Sequence, residues 1–259
     1  MSLNIHPSAI IEHGAQIADD VIIGPYAYIG RLAKINSGTK IGHYATVAGN
    51  TIVGNNNNIH PYAYIGAPTH DLKYKGGEPG LKIGNNNTFR EFCTIHVATS
   101  PENITFIGNN NVFLAYSHVA HDCIVGNHVI MSSQAALGGH VTIDDFTNIG
   151  WSAGIHQFCR IGKYSMVGAS SKATQDIPPY MLSDGSPAIV RSPNFVNLKR
   201  NNFSETEISS VKTLYKIFYL RGLNKSQALQ AITSETLDHT ILKEFIEFIE
   251  NSKRGCKFS

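Results

Sequence analysis

Isoleucine or valine recurs at every sixth residue through eleven consecutive positions: Ile5, Ile11, Ile17, Ile23, Ile29, Ile35, Ile41, Val47, Val53, Ile59 and Ile65. The phase returns at Ile83, Phe89 and Ile95. It then holds from Ile107 to Val167 through Phe113, Val119, Val125, Met131, Leu137, Ile143, Ile149, Ile155 and Ile161. A period of six fits neither a helix near 3.6 nor a flat alternating strand; it marks a solenoid of short stacked units. A second inward slot, four residues after each aliphatic, is mostly small, as at Ala27, Ala45, Ala63, Ser117, Cys123, Ala135 and Cys159, with Asn57, Asn87 and Asn111 as exceptions. One large and one small inward residue per unit suits a short strand followed by a tight corner. Glycine, asparagine and aspartate after the aliphatic are expected to serve those corners by tolerating positive φ.

Over residues 5–175 this pattern resembles the hexapeptide-repeat superfamily. The resemblance implies a mainly β fold, a left-handed parallel β-helix with three hexapeptides per triangular coil. Residues eighteen apart would then stack on successive coils about 4.8 Å apart. Two segments, 67–82 and 97–106, lack the pattern and read as loops; the first carries His70, Asp71 and Lys73 beside Gly76-Gly77. Loops on a rigid scaffold often carry function. The repeat fades at Pro178-Pro179. Ser204 to Glu207 reads as a capping box before VKTLYKIFYL, with Gly222 as its stop and shorter helices around 226–232 and 238–251. The expected organisation is a β-helix over 1–189 and a C-terminal α-helical domain over 190–259.

The formal net charge is +2, too small to argue for nucleic acid. Residues 191–259 hold 11 Lys or Arg against 7 Asp or Glu, net +4, a mildly basic tail that suits an acidic partner or a solvated helical face equally well. No apolar run approaches a membrane span and no secretory leader precedes the first repeat, so a soluble, cytoplasmic protein is expected. Cys123 and Cys159 share a column two coils apart, beyond disulfide reach. They read as small core residues.

Column arithmetic concentrates the chemistry. His121, Gly139 and Gln157 are eighteen apart, and Asp122 and His140 form the next column. These five positions share one outer patch. A lone surface histidine is most often only solvated. A histidine beside a carboxylate, with a glycine amide one coil away, suits general-base chemistry with an oxyanion donor.

His118-Val-Ala-His121-Asp122-Cys123, Gly138-Gly139-His140 and His156-Gln157-Phe158-Cys159 closely resemble the UDP-N-acetylglucosamine O-acyltransferase family. So do His70-Asp71-Leu72-Lys73-Tyr74, Gln175-Asp176-Ile177-Pro178-Pro179-Tyr180 and Leu198-Lys199-Arg200. The resemblance spans nearly the whole chain. It implies transfer of a (3R)-hydroxyacyl chain from acyl carrier protein to the 3-hydroxyl of UDP-N-acetylglucosamine, the first step of lipid A biosynthesis. No cofactor or metal is implied. His121 would be the general base, Asp122 its orienting carboxylate and Gly139 N–H the oxyanion donor. His118, His140, His156 and Gln157 would hold the sugar nucleotide, Asp71 and Lys73 the donor or nucleotide, and Asn194 and Arg200 the nucleotide. Ala169 would floor the acyl groove, giving a medium-to-long preference slightly shorter than glycine would allow. A homotrimer is implied, with sites between subunits and loop 67–82 reaching a neighbour. His70, Val196, Asn201 and Ala169 depart from the family's usual residues.

Two rival readings differ in class. A γ-class carbonic-anhydrase-like zinc site needs three convergent imidazoles and an open position, for which His118, His121 and His140 are candidates. A non-catalytic repeat scaffold needs the core period but not the stacked His/Gly/Gln column.

Overall fold

The computed structural model describes residues 4–233, 235 and 237–258. Most strands are two residues long, and every third one joins the same sheet. Among the described residues, Ile10–Ile11, Gln16–Ile17 and Ile22–Ile23 open three sheets of nine, eight and ten strands, all parallel except the last strand of the third. Ile11 pairs with Ile29, and Ile29 with Val47, so each coil advances eighteen residues. The result is the left-handed parallel β-helix that the resemblance implies. The aliphatic column fills its axis: Ile29, Val47, Ile65, Ile95, Val119 and Leu137 are fully buried. Each such side chain contributes about 1.5–3 kcal/mol by leaving water.

The asparagine exceptions in the small slot form a buried ladder. Asn57 Oδ1 accepts the Asn87 backbone N–H at 2.9 Å, and Asn87 Oδ1 accepts that of Asn111 at 2.9 Å. Their amides donate to the carbonyls of Gly84, Gly108 and Gly126. Every polar atom brought inside thereby has a partner, which removes the usual cost of burial.

Gly66, directly after Ile65, takes positive φ (+79°) as expected, but most corner glycines do not. Gly24 does not take positive φ; a Cβ there would lie 2.9 Å from His43 N, so close approach between coils demands glycine. The positive φ falls two residues later, mostly on larger residues, and each corner has its own column. One carries Tyr26, Tyr44, Tyr62, Phe92 and Tyr116, stacked ring on ring at 4.9–5.4 Å. A second carries Asn56, Asn86, Asn110, His128, Phe146 and Tyr164, and the third Asp122, His140 and Phe158. Stacking between coils repays a backbone strain of order 1 kcal/mol.

The last sheet ends in an antiparallel hairpin, Met181–Gly185 with Ala188–Pro193, which hexad reading does not reveal. Among the described residues four α-helices follow: α1 (Phe195–Arg200), α2 (Glu205–Tyr215), α3 (Lys225–Ile232) and α4 (His239–Glu250). The Ser204/Glu207 capping box is present. Asn224 and Gln227 form a second, which starts α3 one residue before the expected segment. α2 widens into a π-helical turn at Lys216–Leu220, after which Gly222 takes φ +64°. Glu244 of α4 bonds Lys163 and Tyr180 of the β-helix, and the Arg160 guanidinium lies 4.6 Å over the Phe248 ring. Among the described residues no helix is long and apolar enough to cross a membrane. All four cysteines are free thiols.

Candidate active site

Both irregular segments leave the β-helix at the same corner. Strands reach in from each side, so the first loop proper spans 68–79, after Tyr64–Ala67, and the second 97–103, after Thr94–His96. Successive strands of that sheet, His118–Val119, Ala136–Leu137 and Gly154–Ile155, deliver His121, Gly139 and Gln157 to this corner. Regular stacking thus builds a site spanning three coils, roofed by two loops.

His121 is only 13% exposed. Its Nδ1 lies 2.8 Å from Asp122 Oδ2 and 3.0 Å from Thr99 Oγ1. Nε2 is left as the working nitrogen and faces Gly139: a Cβ built on that glycine would lie 2.6 Å from it. The flanking N–H groups of Gly138 and His140 donate to the carbonyls of Ile155 and His121. The Gly139 N–H has no protein acceptor among the described residues. A base and an uncommitted donor therefore share one small space.

Asp122 is held at φ +59°, its N–H donating to Thr105 Oγ1 at 2.8 Å. Its carboxylate accepts from Thr99 N and Asn103 Nδ2, both at 3.1 Å. Burial opposes its ionisation. The hydrogen bonds from His121 and Thr99, the nearby His140 and the bond from Asn103 outweigh burial and hold the carboxyl below its ordinary value. A carboxylate kept charged here stabilises an imidazolium on His121.

His140 stacks on Phe158 at 4.6 Å, its Nε2 4.0 Å from Asp122 Oδ2. The Asp71 carboxylate folds onto this patch: it and ring nitrogens of His121 and His140 lie within 4.8 Å of one another. The first loop thus lies over the histidines of its own chain. An Asx-type bond from Lys73 N to Asp71 Oδ1, 2.9 Å, shapes it; Lys73 is exposed.

His118 lies on the adjoining sheet face, its Nδ1 2.8 Å from Thr94 Oγ1. Burial, then the nearby His70 and His121, lower its pKa. A groove of about 420 Å³ runs from it past Leu137, Gly138 and Ile155 to His156 and Lys172. His156 Nδ1 sits 3.1 Å from the Gln157 carbonyl and 3.2 Å from the Arg254 guanidinium. The Gln157 side chain is exposed.

Asn194 and Arg200 are not brought to this corner. Asn194 is buried, caps α1 and donates to Tyr164 O at 2.9 Å. Arg200 is exposed at the end of that helix, which Asn197 anchors to Phe146 O. Ala169 is exposed at the corner that carries the tyrosine column.

Column arithmetic does not single out His96, Thr99, Asn103 and Thr105. Thr105 sits two residues before Ile107, so the hexad phase is a signal that could find it. Thr99 and Asn103 lie in an insertion without phase. Among the described residues, two groups could hold a cation: Asp71, His121 and His140, and His70, His96 and His118. Neither is the His118, His121, His140 set that a carbonic-anhydrase-like reading requires.

The family described as "Udp N-acetylglucosamine O-acyltransferase; Domain 2" matches residues 176–257, and "Bacterial transferase hexapeptide (six repeats)" matches 32–67 and 104–139. An acyl-[acyl-carrier-protein]–UDP-N-acetylglucosamine O-acyltransferase of Janthinobacterium sp. (strain Marseille) is 42% identical, over 98% of this chain and 99% of its own. That of Thiobacillus denitrificans is 38% identical over 97% and 98%. Among solved structures, LpxA from Acinetobacter baumannii superposes with a TM-score of 0.93 at 40% identity, covering 98% of this chain and 99% of that one. LpxA of Bacteroides fragilis 9343, a UDP-N-acetylglucosamine acyltransferase, gives 0.95 at 37% identity, with 98% and 99% covered.

Proposed function

The chain belongs to the acyl-[acyl-carrier-protein]–UDP-N-acetylglucosamine O-acyltransferase family and is an acyltransferase, and on that premise we propose that it moves a (3R)-hydroxyacyl chain from acyl carrier protein to the 3-hydroxyl of UDP-N-acetylglucosamine, opening lipid A synthesis in the cytoplasm. The observation that carries the mechanism is His121, fixed through Nδ1 by Asp122, with Nε2 against the uncommitted amide of Gly139.

His121 Nε2 takes the proton of the sugar 3-hydroxyl as its oxygen attacks the thioester carbonyl. Asp122 stabilises the imidazolium. Gly139 N–H donates to the tetrahedral oxyanion. Collapse breaks the carbon–sulfur bond, and the imidazolium returns the proton to the leaving thiolate. The acyl tail follows the groove from His118 toward Lys172. His140, His156 and Gln157 position the glucosamine and nucleotide, and Asp71 and Lys73 close over the donor. In a homotrimer, Asn194 and Arg200, at another corner, serve a neighbour's nucleotide, and Ala169 floors the neighbouring groove. No step needs a metal.

The test is product mass after incubation with UDP-N-acetylglucosamine and a panel of 3-hydroxyacyl carrier thioesters. The proposal expects one acyl chain added to the sugar at its 3-oxygen, with turnover surviving EDTA dialysis. Release of free acid with the sugar unmodified would overturn it.

A further inference from the structure

Three histidines from separate stretches of chain meet beside His121. His70 comes from the first loop, His96 ends the strand Thr94–His96 and His118 begins the strand His118–Val119. Ring centroids lie 4.0 Å apart for His70 and His96, 5.0 Å for His96 and His118, and 5.9 Å for His70 and His118. One ring nitrogen of each lies within 4.8 Å of the other two.

Two of the rings are already oriented. His96 Nδ1 is held by the Pro68 carbonyl at 2.6 Å, and His118 Nδ1 by Thr94 Oγ1 at 2.8 Å. Nδ1 bonded to an outer oxygen with Nε2 left free is how metal-ligating imidazoles are usually fixed. A tetrahedral ion at about 2.0–2.1 Å from each nitrogen needs them somewhat closer than 4.8 Å. His96 is buried in the wall, whereas His70 rides on an exposed loop and can supply that movement.

We propose that His70, His96 and His118 form a site for one divalent transition-metal ion of the imidazole-preferring class, zinc foremost, with a fourth position left to water. The ion ties the first loop to the sheet. Resting on the acyl-transfer reading above, it also restrains Asp71 and Lys73 on that loop, so the site is inhibitory and no part of the chemistry. The neighbouring group, Asp71 with His121 and His140, offers a carboxylate, and its His121 Nδ1 is already taken by Asp122.

The experiment titrates the metal-free, full-length protein with Co²⁺ and displaces it with Zn²⁺. The wild type is expected to take up one equivalent with the strong visible absorption of four-coordinate Co²⁺. His70→Gln should weaken Zn²⁺ binding at least about tenfold while leaving acyl transfer in EDTA unchanged, and Asp71→Asn should retain wild-type affinity. Added Zn²⁺ should slow wild-type turnover and spare His70→Gln. Equal binding by His70→Gln, loss of binding in Asp71→Asn, or no uptake by the wild type would each overturn the site. The binding readouts do not depend on acyl transfer, so they stand or fall apart from the function proposed above.

Discussion

A Cβ on Gly139 would lie 2.5 Å from His121 Cε1 and 2.6 Å from Nε2, closer than real side chains approach. The glycine is required by the histidine and not by its own backbone, which takes no positive φ. Gly139→Ala keeps the N–H donor but should push the imidazole off its Asp122 bond, so it should fold normally and lower kcat about 10²–10⁴-fold, as losing a placed general base does. Thermal unfolding and turnover measured side by side check this; wild-type kcat would mean the ring is free to move.

His121→Ala should keep the fold and lose about 10²–10⁴-fold in kcat. Asp122→Asn should cost less, because Thr99 still holds Nδ1 at 3.0 Å. Thr99→Val combined with Asp122→Asn should approach the His121→Ala loss. A double variant no worse than Asp122→Asn would remove Thr99 from the orienting set.

The placement of Asp71 sets an expectation about assembly. Its carboxylate lies on the His121 patch of its own chain. Mixed assemblies of Asp71→Asn and His121→Ala chains should therefore show no more than the weighted activity of the parents. Restored turnover after reassembly would show that the loop crosses to a neighbour.

Acid should destabilise the protein through its histidines before its carboxylates. Burial, offset in part by the Pro68 carbonyl and reinforced by neighbouring histidines, lowers the His96 pKa from 6.5 to about 4. Between those values the unfolded chain binds the extra proton. Stability is full above pH 6.5 and falls toward about 4, by no more than about 3 kcal/mol from this residue. Asp122 acts at lower pH, its stabilisation being lost as its depressed carboxyl protonates. Urea unfolding of His96→Gln across this range should show a flatter pH dependence than the wild type.

Chain length is expected to depend on Ala169. Each buried methylene is worth about 0.8 kcal/mol, so room for one or two changes selectivity roughly four- to fifteen-fold. Ala169→Gly should shift the thioester ranking toward longer chains and Ala169→Met toward shorter ones. An unchanged ranking in both would assign the floor to another residue.

The β-helix is legible in the sequence because its core repeats: Ile5 to Val167 keep one phase, and so counting by eighteen is enough to align His121, Gly139 and Gln157. The capping box at Ser204 is legible for a local reason, one side chain reaching three residues. What escapes depends on irregular chain. Thr99 and Asn103 reach Asp122 from an insertion whose path no period specifies, and Asp71 returns to its own chain through turns at Thr69 and Asp71 itself. The corner glycines obey a cause that composition hides, since only coil-to-coil distance shows that Gly24 is pressed by His43.

The three corner columns also separate the length of the stack from its use. Everything assembled around His121 comes from the first loop and from the coil of His96 upward, and the spacing between coils is set by the register of adjacent strands. The coils before Ile59 act as ballast whose number can vary. Deleting one whole eighteen-residue turn there would shorten the rod and leave the spacing at the working corner intact, whereas deleting a single residue between His121 and Gly139 would rotate every later side chain out of its column.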